Sequence, residues 1–226
     1  MDRSFWLDKW AKNDIGFHQE EFNSHLTAEG RRWLAPGPVL VPLCGKSRDM
    51  LWLAEQGLDV IGVELAREAC ASFFVENGLR FVRERFKAFD QFRSETVTLW
   101  AGDFFAFQAE DVPEPIGSFY DRGALIALPP EMRPAYARKF QEFAFDPRRQ
   151  APLRGLLLSI EYDKSALSGP PFSVGHDEVE RLYEAGFEIR PLRRIAETSS
   201  IRGVELEIVE HVYELESKSR QSDGAV

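Results

Sequence analysis

The chain is poor in the residues that build covalent or metal frameworks. Two cysteines, Cys44 and Cys70, in 226 residues leave no disulfide scaffold and no cysteine zinc site. The four histidines, His18, His25, His176 and His211, show no metal-ligand spacing, so no metal is expected. Long apolar runs are missing too: nothing approaches the roughly 20 residues that span a bilayer. The opening stretch MDRSFWLDKW has no apolar region of the secretory kind, which makes the cytoplasm the expected compartment. Positive charge is short, with 28 Lys and Arg against 37 Asp and Glu for a formal charge of −9. That balance argues against nucleic acid or an anionic membrane as partner and leaves a small molecule, handled by a monomer.

Glycine is scarce where a nucleotide loop would need it. In VLVPLCGKSRDM, Val39 to Met50, an apolar run meets Gly45-Lys46-Ser47 as a strand meets a phosphate turn. A Walker A loop needs another glycine where Leu40 stands, because successive backbone N–H groups must wrap the phosphates. The dinucleotide fingerprint fails likewise, since Gly45 lacks partner glycines at the required offsets. What remains is a single-glycine turn that brings a ligand close to the backbone.

Elsewhere the chain alternates. Aromatic residues crowd Met1 to Leu34, which reads as two short helices around Gly16. After the breaker Pro36 to Pro38, strands are expected at Val39 to Leu43, Asp59 to Val63, Thr96 to Ala101, Ile116 to Asp121 and Arg154 to Tyr162. Helices are expected at Ser47 to Gln56, Arg67 to Asn77, Glu131 to Phe145 and Asp177 to Ala185, three of them stopped by Gly57, Gly78 and Gly186. Two last strands, Phe187 to Ile195 and Val204 to Tyr213, follow each other without a helix. The expected fold is α/β, Rossmann-like, with a mostly parallel sheet covered on both faces and an antiparallel edge. One domain over 1–216, with an N-terminal helical part over about 1–34 and a disordered polar tail at 217–226, accounts for the whole length.

In such sheets ligands sit beyond the carboxyl ends of the strands. Those ends carry Leu43-Cys44-Gly45, Glu64, Gly102-Asp103 and Asp121-Arg122. Glu64 follows Gly45 by nineteen residues, close to the roughly 20 at which an acidic side chain reaches a bound ribose. With no cradle for a pyrophosphate, the adenosine ligand this implies is S-adenosylmethionine in preference to NAD. The plainer reading makes Glu64 and Asp103 helix caps or solvated loop residues. Cys44 reads as a small buried residue, since no base is placed beside it.

Five stretches carry a resemblance: FWLDKWAKNDIGFHQ, VPLCGKSRDMLWLAEQG, VIGVEL, YDRGALIALPPEMRPAYA and SIEYDKSALSGPPFSVGHDEVE, in this order over Phe5 to Glu180. Together they resemble the thiopurine S-methyltransferases, most closely the bacterial branch. The resemblance implies a class I methyltransferase fold with seven strands and S-adenosylmethionine as cofactor. It further implies that Trp10, Leu43, Gly45, Glu64, Gly102, Asp103 and Arg122 line the cofactor, and that Trp6, Phe17, Arg122, Pro170, Pro171 and Phe172 border the acceptor. The activity it implies is methyl transfer to the sulfur of an aromatic or heterocyclic thiol. Related chemistries, a halide, thiocyanate, selenium or tellurium acceptor, and a non-catalytic adenosine-binding module stand as alternatives.

Transfer from sulfonium to sulfur requires alignment and exclusion of water more than proton movement. Arg122 is accordingly expected to favour the acceptor thiolate. Its alternative is a structural ion pair with Asp121 or Glu161. Trp6, Trp10 and Phe17 are expected to fold over the cofactor and offer ring faces to its cation.

Overall fold

A computed structural model describes residues 3–12, 14 and 18–219. Unbroken apolar runs make the centre of its sheet. β1 (Val39–Pro42) and β2 (Val60–Glu64) are buried at every position, as parallel strands covered on both faces must be. β5 (Val97–Ala101) pairs in parallel with β2, β6 (Ser118–Arg122) with β1, and β7 (Arg154–Glu161) with β6. The sheet is closed on one side by β9 (Val204–Ser217) and β8 (Phe187–Ile201), both in antiparallel pairing.

Nine strands form this sheet, not seven. The two unforeseen ones, β3 (Val82–Phe86) and β4 (Phe89–Arg93), form a hairpin on the edge of β5. The sequence hid them because every residue of VRERF is exposed, and the apolar burial of the hairpin is left to Phe89 and Phe92 of β4, which face opposite cores. In full the order is β3-β4-β5-β2-β1-β6-β7-β9-β8. It runs outward from β1 in both directions, so the crevice at the switch point opens over β1 and its neighbours.

Helices cover the two faces. α3 (Asp49–Glu55) and α4 (Arg67–Glu76) bury Met50, Leu53, Cys70, Phe73 and Phe74 on one side. On the other, α6 (Arg133–Ala144) and α7 (His176–Tyr183) bury Tyr136, Phe140, Phe143, Val179 and Tyr183. Three further α-helices lie among the described residues: α1 (Arg3–Ala11), α2 (Ser24–Glu29) and α5 (Ala124–Ala127). The last hairpin runs further than the sequence led us to expect, turning at Arg202-Gly203 with φ of 55° and 79°. The polar tail also begins later, because Ser217 is half of a pair of hydrogen bonds with Leu153, and the Lys218 N–H donates to the Gly186 carbonyl. Residues 220–226 lie outside the described residues.

Packing at the β6–β7 contact leaves no spare volume. A Cβ at Gly155 would lie 2.1 Å from Cζ of Phe119, whose ring is 4.2 Å from that of Phe140. Gly155→Ala is therefore expected to destabilise the fold by about 2 kcal/mol, the usual size of an overpacking strain. Urea unfolding measures it, and a change below about 0.5 kcal/mol would show that Phe119 yields freely.

Candidate functional site

Four neighbouring strands, β5, β2, β1 and β6, bring Asp103, Glu64, Gly45 and Arg122 to one edge of the sheet in that order. The loop after β1 is held in an unusual shape: Leu43 and Gly45 both adopt left-handed backbone, φ 46° and 53°. For leucine this conformation carries strain of the kind found at ligand sites. Glycine suits position 45 twice over, because a Cβ there would also meet the Trp10 ring at 3.1 Å.

Glu64 joins the two loops. Its Oε2 accepts the Gly45 N–H at 2.9 Å and its Oε1 the Ala66 N–H at 2.8 Å. Burial pushes the carboxyl above its usual range, and the Ala66, Gly45 and Leu65 N–H groups oppose that shift. Two backbone bonds leave about half of the carboxylate's lone-pair sites for further donors. The nineteen-residue spacing thus reflects a direct bond between its two ends.

Helix α1 lies across this edge. At one end the Arg3 guanidinium is 3.7 Å from the Asp103 carboxylate, and at the other Trp10 rests on Gly45. None of its residues is buried, and the Trp6 ring stands edge-on to Phe5 at 5.3 Å. Asp103 also caps the short turn that follows, accepting the Phe105 N–H at 3.0 Å, so its plainer role is present as well. Gly102 is bare for a packing reason: a Cβ would lie 2.4 Å from the Phe89 ring. Its N–H donates to the Glu64 carbonyl at 2.8 Å, which ties the ends of β5 and β2 together. Phe17, expected at the acceptor, lies outside the described residues.

Arg122, half-buried at the end of β6, makes no hydrogen bond or ion pair among the described residues. Both expected structural partners are engaged elsewhere. Asp121 accepts from the Tyr136 hydroxyl at 2.7 Å and the Leu125 N–H at 3.2 Å, while Glu161 pairs with His211 at 2.9 Å. The GPPF segment is anchored near the same place: the Phe172 N–H donates to the Ile126 carbonyl at 2.7 Å, and the Tyr162 hydroxyl to the Pro171 carbonyl at 2.6 Å. Arg202, at the tip of the last hairpin, donates to the Gly169 carbonyl at 3.1 Å.

One neighbour of the site went unnoticed in the sequence. His18 is held below its usual pKa by burial first and by the Lys46 cation next, with Arg122 adding to the effect. Only its place beside Phe17 could have marked it. Cys44 is buried and its thiol is pushed well up by that burial, which suits a packing role and not a nucleophile. A groove of about 730 Å³ lies elsewhere, between α7, β7 and the last hairpin, with Glu161, His176, Arg194, His211 and Tyr213 on its walls. None of the residues expected at the site lines it.

Comparison with known proteins gives a consistent picture. The family described as thiopurine S-methyltransferase matches residues 1–218. A thiopurine S-methyltransferase of Pseudomonas putida (strain GB-1) is 49% identical over 194 residues, covering 85% of this chain and 87% of that protein. One from Pseudomonas paraeruginosa is 46% identical over 196 residues, covering 86% and 87%. Among solved structures, a Burkholderia thailandensis 1,6-didemethyltoxoflavin-N1-methyltransferase with bound S-adenosylhomocysteine superposes with a TM-score of 0.59 at 17% identity, over 96% of this chain and 87% of that one. TehB from Haemophilus influenzae does so with 0.57 at 12%, over 93% and 66%. At these identities the structural likeness is one of fold.

Proposed function

The chain belongs to the thiopurine S-methyltransferase family, and we propose that it transfers the methyl group of S-adenosylmethionine to the sulfur of an aromatic or heterocyclic thiol. The observation that carries this reading is the line of Asp103, Glu64, Gly45 and Arg122 along four adjacent strand ends, with a guanidinium at its end that is unpaired among the described residues.

The donor set suits that cofactor. Glu64 retains acceptor sites for two ribose hydroxyls, and the bare Gly45 lets Trp10 close over the loop. Trp10 offers a ring face where a sulfonium would lie. Bound there, S-adenosylmethionine supplies a methyl group on a positively charged sulfur. The chain's part is to align and to desolvate. α1 acts as a lid over about residues 3–12, bridging from Asp103 to Gly45 and keeping water from the crevice between. Arg122 faces the acceptor and lowers the cost of its thiolate. An aromatic thiol that is already acidic then needs no general base. Pro170, Pro171 and Phe172 form the far wall of the acceptor space, held to α5 through Ile126. No helix among the described residues is long and apolar enough to cross a membrane. We place the enzyme in the cytoplasm as a monomer, in keeping with two free buried cysteines.

Calorimetry with S-adenosylhomocysteine and NAD, followed by turnover with 6-mercaptopurine, tests the reading. The first ligand is expected to bind and the second not, with the thiol converted to its methyl thioether. Failure to bind S-adenosylhomocysteine would overturn it. Binding without turnover of any aromatic thiol would favour a halide or metalloid acceptor.

A further inference from the structure

Asp121 is fully buried, one residue before Arg122, yet no cation pairs with it among the described residues. Its charge is held by dipoles alone: the Tyr136 hydroxyl from α6 on Oδ2 and the Leu125 N–H on Oδ1, with the Ala124 N–H in support. The buried phenol of Tyr183 on α7 also lies within its electrostatic reach, as does Tyr120 on its own strand, while the Tyr120 and Arg122 side chains leave β6 on the opposite face. A buried carboxylate with no cation costs stability unless its form is needed.

The need is geometric. Between Asp121 and the Leu125 that it grips lie Arg122, Gly123 and Ala124, with Gly123 in left-handed backbone at φ 91°. The carboxylate therefore staples the turn from β6 into α5, and Arg122 is the charged residue inside the staple. Both oxygens must accept, from a hydroxyl and from N–H groups. Asparagine would present an amide donor to one of them, and a protonated acid would present a hydroxyl.

We propose that the ionised Asp121 carboxylate, clamped by Tyr136, is the positioning residue for Arg122, so that acceptor turnover depends on Asp121 staying charged. This rests on the reading of Arg122 as the group that faces the acceptor thiolate. Burial raises the Asp121 pKa to about 6, against the pull of the Tyr136 and backbone hydrogen bonds. The carboxylate is charged above that value and neutral below it, so activity is lost as pH falls through it. Loss of the Tyr136 bond moves the transition upward.

The test uses an acceptor whose thiol is ionised throughout, such as 2-nitro-5-thiobenzoate, so that the acceptor does not titrate. In the full-length protein, kcat/KM is expected to fall up to about tenfold per pH unit below about pH 6, with S-adenosylhomocysteine affinity little changed. Tyr136→Phe is expected to move that limb up by about one pH unit, the size of one hydrogen bond to a charged group. The Nε resonance of Arg122, assigned with Arg122→Lys, is expected to titrate with the same midpoint in each protein. A limb that stays in place in Tyr136→Phe, or an Arg122 resonance that ignores it, would overturn the proposal. A resonance that titrates as expected in a protein that methylates no thiol would support the staple and instead overturn the assigned acceptor chemistry. Asp121→Asn is the second variant: a drop in acceptor kcat/KM of less than about threefold would also count against the staple.

Discussion

Replacing Glu64 by glutamine is expected to weaken S-adenosylhomocysteine binding about 100-fold, or close to 3 kcal/mol. The geometry explains so large an effect from one exchanged atom. Each Glu64 oxygen already accepts a backbone N–H, from Gly45 on one side and Ala66 on the other. The amide of glutamine must turn its NH2 toward one of these donors. Either the Gly45 loop or the turn into α4 then loses its partner, and the left-handed shape of the loop loses the bond that holds it. The ribose meanwhile loses a charged acceptor, and charge-assisted bonds are about twice as strong as neutral ones. Stability is expected to change much less than affinity, because the substitution also removes the cost of burying a charge. Calorimetry on the folded variant decides it. Affinity within about threefold of the parent would mean that Glu64 serves the loop alone and does not reach the ligand.

That result would also show which part of the site a sequence can reveal. Gly45, in the loop after β1, is bonded to Glu64 at the end of the adjacent parallel strand β2, and a βαβ unit fixes their separation along the chain, so spacing alone could find the pair. The central strands were equally legible, since strands buried on both faces leave runs such as VLVP and VIGVE. The β3–β4 hairpin was not, because an exposed edge strand has no apolar stripe to read. Asp103 could be read as a cofactor contact or as a cap, and the structure holds the cap, with Arg3 3.7 Å from the same carboxylate. Most instructive is Arg122. Its freedom follows from what its neighbours do: Asp121 turns to Tyr136 fifteen residues on, and Glu161 to His211 fifty residues on. Such pairings arise only when α6 and the last hairpin have packed against the sheet.

Arg122→Lys is expected to lower kcat/KM for an aromatic thiol about 100-fold while leaving S-adenosylhomocysteine affinity within a few-fold. Lysine keeps the charge, so a purely long-range effect on the thiolate would survive the exchange. What it loses is the planar fork of donors, fixed in direction by the staple behind it. A thiolate sulfur and a ring nitrogen of a heterocyclic thiol can be met together by two parallel N–H groups, and a single ammonium cannot do the same. Discrimination between acceptors follows from this. A heterocyclic thiol with a nitrogen beside the sulfur is expected to lose more than a simple benzenethiol. Equal losses would reduce the role of Arg122 to charge alone. If both rates survived intact, the thiolate must be held by other groups, and Lys46, whose ammonium is bound to Glu76 at 2.8 Å beside His18, would be the nearest cation to examine. Since Arg122 has no hydrogen-bonded or ion-pair partner among the described residues, its substitution leaves no buried carboxylate there unpaired, and a fall in activity will not be confused with a fall in stability.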